Sequence, residues 1–475
     1  MNAKRILIIS AVILSIGVIC FFAGCERDVY VYSVNKCETD TIGRIPKTGK
    51  DKVNLKFYLE CSASMNGYMD HSGTFKDAIN ECLSVLNSTG NFDTIQLNYI
   101  GQEVHLFNSN FTLNQTESLL NEFLNPSYYE YNKANVLHIK DSKNAISGIT
   151  YQDRNYSKLS EILDTIIGRT KEDVSVLVSD CILDPYDGQP ENYLALCKTD
   201  IYNLFQKVLK KNPDLAVQII QLNSKFVGPY YYKELNVDAE KNGKKSITQS
   251  IQLNGTERPY YIWIIANRDR ISKFNDRLSR LKDHNANKAS INSVIFAPGK
   301  NIAIDVKTGN VEGKLKEQNG FATFKIIADL SNLLIEDLSW ITNKENYVIE
   351  VIRGAKNVEF DTVAIDYDTI SRKISLPIKL NKVQPNMEIM VRLKTKDCGN
   401  IPQWVNDVNG INAQNDALNI KTTGLKSLIE GVATAYDDYN GDYITEFIIK
   451  TSNDRPKDNK KQQLIKQAKS KQKKQ

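Results

Sequence analysis

Apolar positions along the first half of the chain alternate between two periods. Val53 to Glu60 (VNLKFYLE) is β-branched and aromatic, as a strand requires. Thr74 to Asn87 follows with Phe75, Ile79, Cys82 and Leu86 spaced as one face of a helix. Thr94 to Phe107 predicts a pair of strands around Gly101, and Glu117 to Leu124 and Ser157 to Ile167 predict helices. Val174 to Val178 is a short apolar run that ends in Ser179-Asp180, the pattern of a strand covered on both faces. A helix over Tyr193 to Leu209 stops at Asn212-Pro213. Buried strands at Leu215 to Leu222 and Arg258 to Ala266 and a charged helix from Arg268 to about Lys282 complete the alternation. Strands alternating with helices predict a doubly wound α/β unit over residues 53–284, a mostly parallel sheet with helices on both faces.

Near His284 to Ser290 the pattern changes. Ile291 to Phe296, Ala322 to Ala328, Tyr347 to Ile352, Lys373 to Ile378, Met387 to Leu393 and Tyr443 to Ile449 are short apolar segments separated by turn residues. They predict a second, mostly β domain over residues 290–450, with the spacing of a β-sandwich and one helix at Leu425 to Tyr436. Asp437-Asp438-Tyr439-Asn440-Gly441-Asp442 reads as a turn, since its glycine is misplaced for a calcium loop.

The formal charge of +5 hides its distribution. Residues 453–475 carry 9 basic and 2 acidic side chains and no sustained apolar face, so a disordered or fraying basic tail is expected. The body is slightly acidic, which argues against a nucleic-acid groove, because that footprint needs basic residues clustered on the folded surface.

At the other end, Lys4 and Arg5 precede an apolar run from Ile6 to Phe22, then Ala23, Gly24 and Cys25. A charged start, an apolar stretch and a small-residue processing site form a secretory signal over residues 1–24. Phe22-Ala23-Gly24-Cys25 resembles the bacterial lipobox, with Phe22 where Leu is usual. That resemblance implies lipid on Cys25, a polar tether over residues 25–52, and a mature protein held at a membrane of the bacterial cell envelope, the outer membrane in a Gram-negative cell. The cysteines beyond the signal, Cys37, Cys61, Cys82, Cys181, Cys197 and Cys398, show no metal-type spacing, and most read as small buried hydrophobes. The histidines at 71, 105, 138 and 284 form no zinc-hydrolase pattern.

In an open α/β sheet, ligands bind beyond the carboxyl ends of strands whose connections turn to opposite faces. The first strand runs into Glu60-Cys61-Ser62-Ala63-Ser64-Met65-Asn66-Gly67, and a later one ends in Ser179-Asp180. This resembles the von Willebrand factor type A domain, whose metal-ion-dependent adhesion site has a DxSxS loop after its first strand and an Asp after its fourth. The resemblance covers about half the chain. It implies that Ser62 and Ser64 offer hydroxyls to Mg²⁺ or Ca²⁺, that Asp180 acts through water, and that Ser157, with Asn155 and Thr150 as competitors, takes the family's Thr position. Glu60 stands where the family has Asp, and its extra methylene pushes the carboxylate further into the loop.

Three readings follow. One is a non-enzymatic, lipid-anchored protein that binds a protein or glycan partner with help from a cation. A second is a metal-free scaffold of the same fold in an envelope assembly. The third, an envelope hydrolase, lacks a recognisable Ser, His and acid arrangement. Neighbouring Cys61 and Cys181 raise the question of a disulfide, although two buried thiols are the simpler reading. Tyr230 to Tyr232 and Tyr260 to Trp263 offer either a contact surface or, for the second group, a buried strand.

Overall fold

A computed structural model describes residues 30–34, 53–69, 74–101, 104–112, 116–124, 136–140, 146–150, 159–170, 173–183, 190–235, 246–285, 291–298, 305–309, 322–329, 338–354, 360–362, 365–368, 373–380, 384–395 and 401–452. Cys25, Ser157, Asn155, Cys37, Cys398, the signal and the basic tail lie outside them.

In chain order, β1 (Tyr30–Val34) is followed by β2 (Asn54–Glu60), α1 (Phe75–Gly90), β3 (Thr94–Ile100), β4 (Val104–Asn108) and α2 (Thr116–Phe123). A hairpin of β5 (Val136–Lys140) and β6 (Ile146–Thr150) precedes α3 (Leu159–Thr170), β7 (Val174–Ser179) and α4 (Pro190–Lys211). Then come β8 (Leu215–Leu235), β9 (Ser246–Asn267), α5 (Arg268–Leu278) and β10 (Asn292–Phe296). One seven-stranded sheet has the order β10-β8-β9-β7-β2-β3-β4. Its helices lie on both faces, as the doubly wound pattern predicts. Phe75, Ile79, Cys82 and Leu86 of α1 share a core with Phe123 of α2 and Phe274 of α5. Ile162, Leu163 and Ile166 of α3 share the opposite core with Ile201 and Phe205 of α4.

The strand directions are mixed. β2 pairs in parallel with β3 and with β7, and the other pairs of this sheet are antiparallel. The expected mostly parallel sheet is therefore confined to the centre. The cause is the β8–β9 hairpin: β9 returns antiparallel along the whole of β8, from Leu215↔Asn267 to Leu235↔Ser246, and inserts between β8 and β7. Beyond Tyr261, where β9 leaves β7, the hairpin continues as a ribbon over the carboxyl ends of β2 and β7. There Phe226 packs edge-on against Tyr68, and a Cβ on Gly67 would collide with the Phe226 ring, so that turn must be glycine.

The later strands are β11 (Asp305–Gly309), β12 (Ala322–Asp329), β13 (Tyr347–Arg353), β14 (Phe360–Thr362), β15 (Asp366–Asp368), β16 (Lys373–Leu380), β17 (Glu388–Lys394) and, after the two short strands below, β20 (Tyr443–Ser452). They form two antiparallel sheets, β1-β20-β17-β13 and β11-β12-β16-β14, with β15 also on β16. Ile326, Leu376 and Ile378 of one sheet share a core with Ile389, Val391 and Ile449 of the other. Tyr30 to Val34, expected within a polar tether, instead pairs with the last strand, from Tyr30↔Ser452 to Val34↔Ile448.

The α/β unit does not end at the change of pattern. β10 pairs with β8, and residues 401–440 return to the first sheet. They form α6 (Gln403–Val408), β18 (Asn409–Gly410), α7 (Ala413–Leu418), β19 (Thr422–Thr423) and α8 (Leu425–Asn440). α8 buries Leu428, Ile429, Val432 and Tyr436 in the core shared by α3 and α4. Lys198 of α4 bonds Glu430 at 2.8 Å, Tyr202 donates to Asp438 at 2.7 Å, and Tyr436 donates to the Leu215 carbonyl at 2.9 Å. Asp437 to Asn440, expected to be a turn, belong to the last turn of α8, which stops at Gly441 with φ of +67°.

Because α8 fills the same core as α3, Ile429→Ala and Ile166→Ala should lower the same cooperative unfolding transition. Each should cost roughly 2 to 5 kcal/mol, the range for emptying a buried aliphatic site. Denaturant melts followed by fluorescence and circular dichroism check this. A separate transition moved only by Ile429→Ala would show that α8 belongs to another folding unit.

Candidate functional site

β2 and β7 lie side by side, and their outgoing connections diverge: α1 leads away on one face of the sheet and α4 on the other. Their carboxyl ends therefore flank the crevice that this topology leaves open for a ligand. Leu55, Phe57 and Leu59 of β2 and Val174, Val176, Leu177 and Val178 of β7 are buried, so the polar groups that follow are delivered to the end of a buried core.

Glu60 ends β2 and is buried. Its Oε2 accepts a hydrogen bond from Ser179 Oγ, which in turn accepts from Cys181 N at 2.8 Å. The longer carboxylate, expected to push into the following loop, is thus held across the sheet by the end of β7. Ser62 occupies the N-cap position of the short 3-10 helix Ala63–Tyr68 but makes no side-chain cap bond. Its hydroxyl meets that of Ser64 at 3.0 Å instead.

Asp180 is buried, and its two oxygens differ. Oδ1 accepts from Ile182 N at 3.3 Å, a local turn of the kind Asp commonly forms, whereas Oδ2 has no hydrogen-bond partner. Burial raises the pKa of this carboxyl, an effect partly offset by the Ser64 hydroxyl, the Ile182 N–H and the charge of Arg258. Ser62, Ser64 and Asp180 therefore come together at the ends of β2 and β7, where Ser179 also holds Glu60. Thr150 lies in β6, outside the seven-stranded sheet. Among the described residues, no three His, Cys, Asp or Glu side chains converge as a metal-binding group. The donors here are hydroxyl and carboxylate oxygens, the chemistry suited to a hard cation.

Several side chains at this end of the sheet were not singled out in the sequence. Arg258 is 1% exposed and lies over the Tyr230 ring at 4.5 Å. Its Nη1 donates to the carbonyls of Asp416 at 2.7 Å and Ala417 at 3.2 Å, and its Nη2 to that of Lys421 at 2.8 Å. Residues 409–424 thus form a cap tied to the sheet, with further bonds from Leu183 N to Thr423 O at 2.9 Å and between Tyr261 OH and Thr422 Oγ1 at 2.8 Å. Asp416 holds the cap together, accepting from Thr423 Oγ1 at 2.7 Å and Asn412 N at 3.0 Å, and its pKa too is raised by burial. The available signal was weak: a charged residue directly before Pro259 looks like the edge of a strand.

The remaining candidates resolve as follows. Cys61 and Cys181 form no disulfide with each other and sit in opposite cores of the sheet. Cys61 Sγ donates to Ile100 O at 3.3 Å, and Cys181 Sγ accepts from Trp263 Nε1 at 3.2 Å. Tyr260, Tyr261 and Trp263 form a buried strand segment, and Tyr230 and Tyr232 are buried as well, which leaves Tyr231 as the exposed aromatic of its group.

The raised pKa of Asp180 has a definite sign in stability. Between the ordinary carboxylate value near 3.8 and its raised folded value, the native state holds the proton more tightly than the unfolded chain. Stability from this group is therefore lost as pH rises through that window. In chelator at pH 7, Asp180→Asn should raise the melting temperature, and the gain should shrink as pH falls toward 4. Equal melting temperatures at pH 7 would show that this carboxylate carries no burial penalty.

No protein-family signature, curated protein or solved structure matches the chain.

Proposed function

We propose that this chain is a lipid-anchored binding protein of a bacterial envelope, and that it engages a protein or glycan partner through a divalent cation at the carboxyl ends of β2 and β7. The observation that carries the reading is the buried Asp180 Oδ2 without a hydrogen-bond partner, beside the paired hydroxyls of Ser62 and Ser64. A buried carboxylate oxygen is costly unless something positive completes it. Mg²⁺ or Ca²⁺ bound by Ser62, Ser64 and Asp180 would do so while keeping positions for water and for a partner's oxygen. Ser157 is retained as the expected third-loop donor.

The von Willebrand type A resemblance is supported by the neighbouring parallel strands β2 and β7 and by the hydroxyl pair after β2. The antiparallel insertion of β9 departs from it. The two later sheets with their shared core support a β-sandwich as the second unit. The thiols of Cys61 and Cys181 are buried, and burial pushes that of Cys181 up, the opposite of a reactive thiolate, which favours binding over covalent catalysis. One observation favours a metal-free scaffold instead: the buried guanidinium of Arg258 already acts on Asp180.

Titration calorimetry separates the two readings. The wild type should bind Mg²⁺ or Ca²⁺, and Ser64→Ala and Asp180→Asn should each weaken binding at least about tenfold, which is about 1.4 kcal/mol. Glu60→Asp reports on Ser179, because the shorter side chain draws the carboxylate back from the Ser179 hydroxyl. Tighter Mg²⁺ binding is expected. No heat from either ion with the wild type or Glu60→Asp would leave the scaffold as the account.

The anchor rests on Ala23-Gly24 immediately before Cys25. Metabolic labelling with an acyl-chain analogue should mark the wild type and not Cys25→Ala. Labelling of both would place the lipid elsewhere.

A further inference from the structure

The register of β1 fixes what lies beside the point where the chain enters its sheet. Tyr30 pairs with Ser452 and Val34 with Ile448, so β1 enters at the end where β20 leaves. That exit is held on its other side as well. Thr451 is 2% exposed, and its N–H donates to the Met387 carbonyl at 3.0 Å while its carbonyl accepts from Asn386 N at 2.8 Å. Its hydroxyl donates to the Gln384 carbonyl at 2.5 Å. Residues 26–29 separate Tyr30 from Cys25, a span of at most about 18 Å when fully extended. Opposed Cα atoms of an antiparallel pair are roughly 5 Å apart. Residue 453 therefore emerges within roughly 30 Å of Cys25.

The segment that begins there, residues 453–475, carries 9 basic and 2 acidic side chains, on a body that is slightly acidic. Glu26, Arg27 and Asp28, between Cys25 and β1, offset little of that charge. Glu388, opposite Lys450 in the sheet, is already paired with Lys450 at 2.9 Å and with Arg353 at 3.8 Å.

We propose that residues 453–475 bind the anionic phospholipid headgroups of the membrane that the Cys25 lipid enters, and that the β1–β20 end of the sheet thereby stands on the bilayer. The inference rests on the anchor reading above. A polybasic segment is drawn to an anionic surface only within about a Debye length, roughly 10 Å at 0.1 M salt. The pairing of Tyr30 with Ser452 meets that condition by delivering the segment to the place where the lipid enters. Once the lipid is inserted, headgroup binding by the segment is an intramolecular event at high effective concentration. A lipid alone is one point of attachment, about which the body can turn. The second contact, at the same end of the sheet, sets which way the body faces.

The test uses the mature chain from residue 25 with Cys25→Ala, so that no lipid contributes, and vesicles of equal parts phosphatidylglycerol and phosphatidylcholine as probe. In co-sedimentation it should bind these at least about tenfold tighter than vesicles of phosphatidylcholine alone. The combined variant Lys466→Gln, Lys469→Gln, Lys471→Gln, Lys473→Gln and Lys474→Gln, which leaves every described residue unchanged, should lose that preference. Tyr30→Trp places a reporter at the start of β1, and a headgroup-nitroxide lipid in the anionic vesicles should quench the added emission. Equal binding to the two kinds of vesicle, or equal binding by the parent and the combined variant, overturns the inference. Vesicle binding that leaves the Tyr30→Trp emission unquenched, with a native circular dichroism spectrum, also overturns it, because the tail then reaches lipid without bringing the β1–β20 end. Retention on an anionic cell-wall polysaccharide without vesicle binding overturns it too and assigns the tail to a polymer. These results leave the anchor intact, since acyl labelling of Cys25 is read separately. Absence of that labelling in the wild type overturns the anchor reading, and with it the shared membrane, whatever the vesicles show.

Discussion

Polar groups at the end of a buried strand must be satisfied there, and the architecture around β2 and β7 follows from that constraint. Both strands run through the centre of the sheet with apolar side chains on each face, and both end in acidic and hydroxyl residues that remain buried. Glu60 is satisfied across the sheet by Ser179. The Ser62 hydroxyl turns to Ser64 rather than capping its helix. Asp180 keeps one oxygen for its own turn and leaves the other buried without a hydrogen-bond partner. An unpartnered buried oxygen costs stability, and such a cost is commonly carried where function requires it.

The same constraint accounts for the return of the chain. The ribbon of β8 and β9 reaches over the strand ends with Phe226 packed against Tyr68 and Arg258 lying over Tyr230. A buried guanidinium needs several acceptors, and the cap supplies three carbonyls at once. α8 then follows directly from the cap and closes the core over α3 and α4. The cap and the last large helix are thus consecutive consequences of one polar strand end. Most strands of the two antiparallel sheets lie between β10 and α6, while β1 joins them from before β2 and β20 from after α8.

Elements with strong periodicity were legible in the sequence, and their partners were not. The spacing of Phe75, Ile79, Cys82 and Leu86 predicts α1 because a helix buries one stripe, and Val174 to Val178 predicts a strand covered on both faces because every position is buried. The helix at Leu425 was equally plain, but an amphipathic pattern states that a face is buried and not against what, so its place beside α4 was invisible. The insertion of β9 was hidden for a similar reason: its partner along β8 is set by a hairpin whose polar connecting residues carry no register. At the site, the DxSxS-like spacing led to Ser62, Ser64 and Asp180. Ser179, Arg258 and Asp416 escaped because each acts through a contact more than seventy residues away or through main-chain carbonyls, which sequence patterns do not encode.

The central proposal is that Asp180 Oδ2 and the hydroxyls of Ser62 and Ser64 together hold a cation. Crystals grown with Mn²⁺, whose anomalous scattering reports the ion directly, provide the most direct measurement. The account predicts one anomalous peak at roughly 2.1 Å from the hydroxyl oxygens of Ser62 and Ser64, with Asp180 bonded directly or through one water. A map with no peak there, and with Arg258 Nε or an ordered water bonded to Asp180 Oδ2 at saturating Mn²⁺, would contradict it.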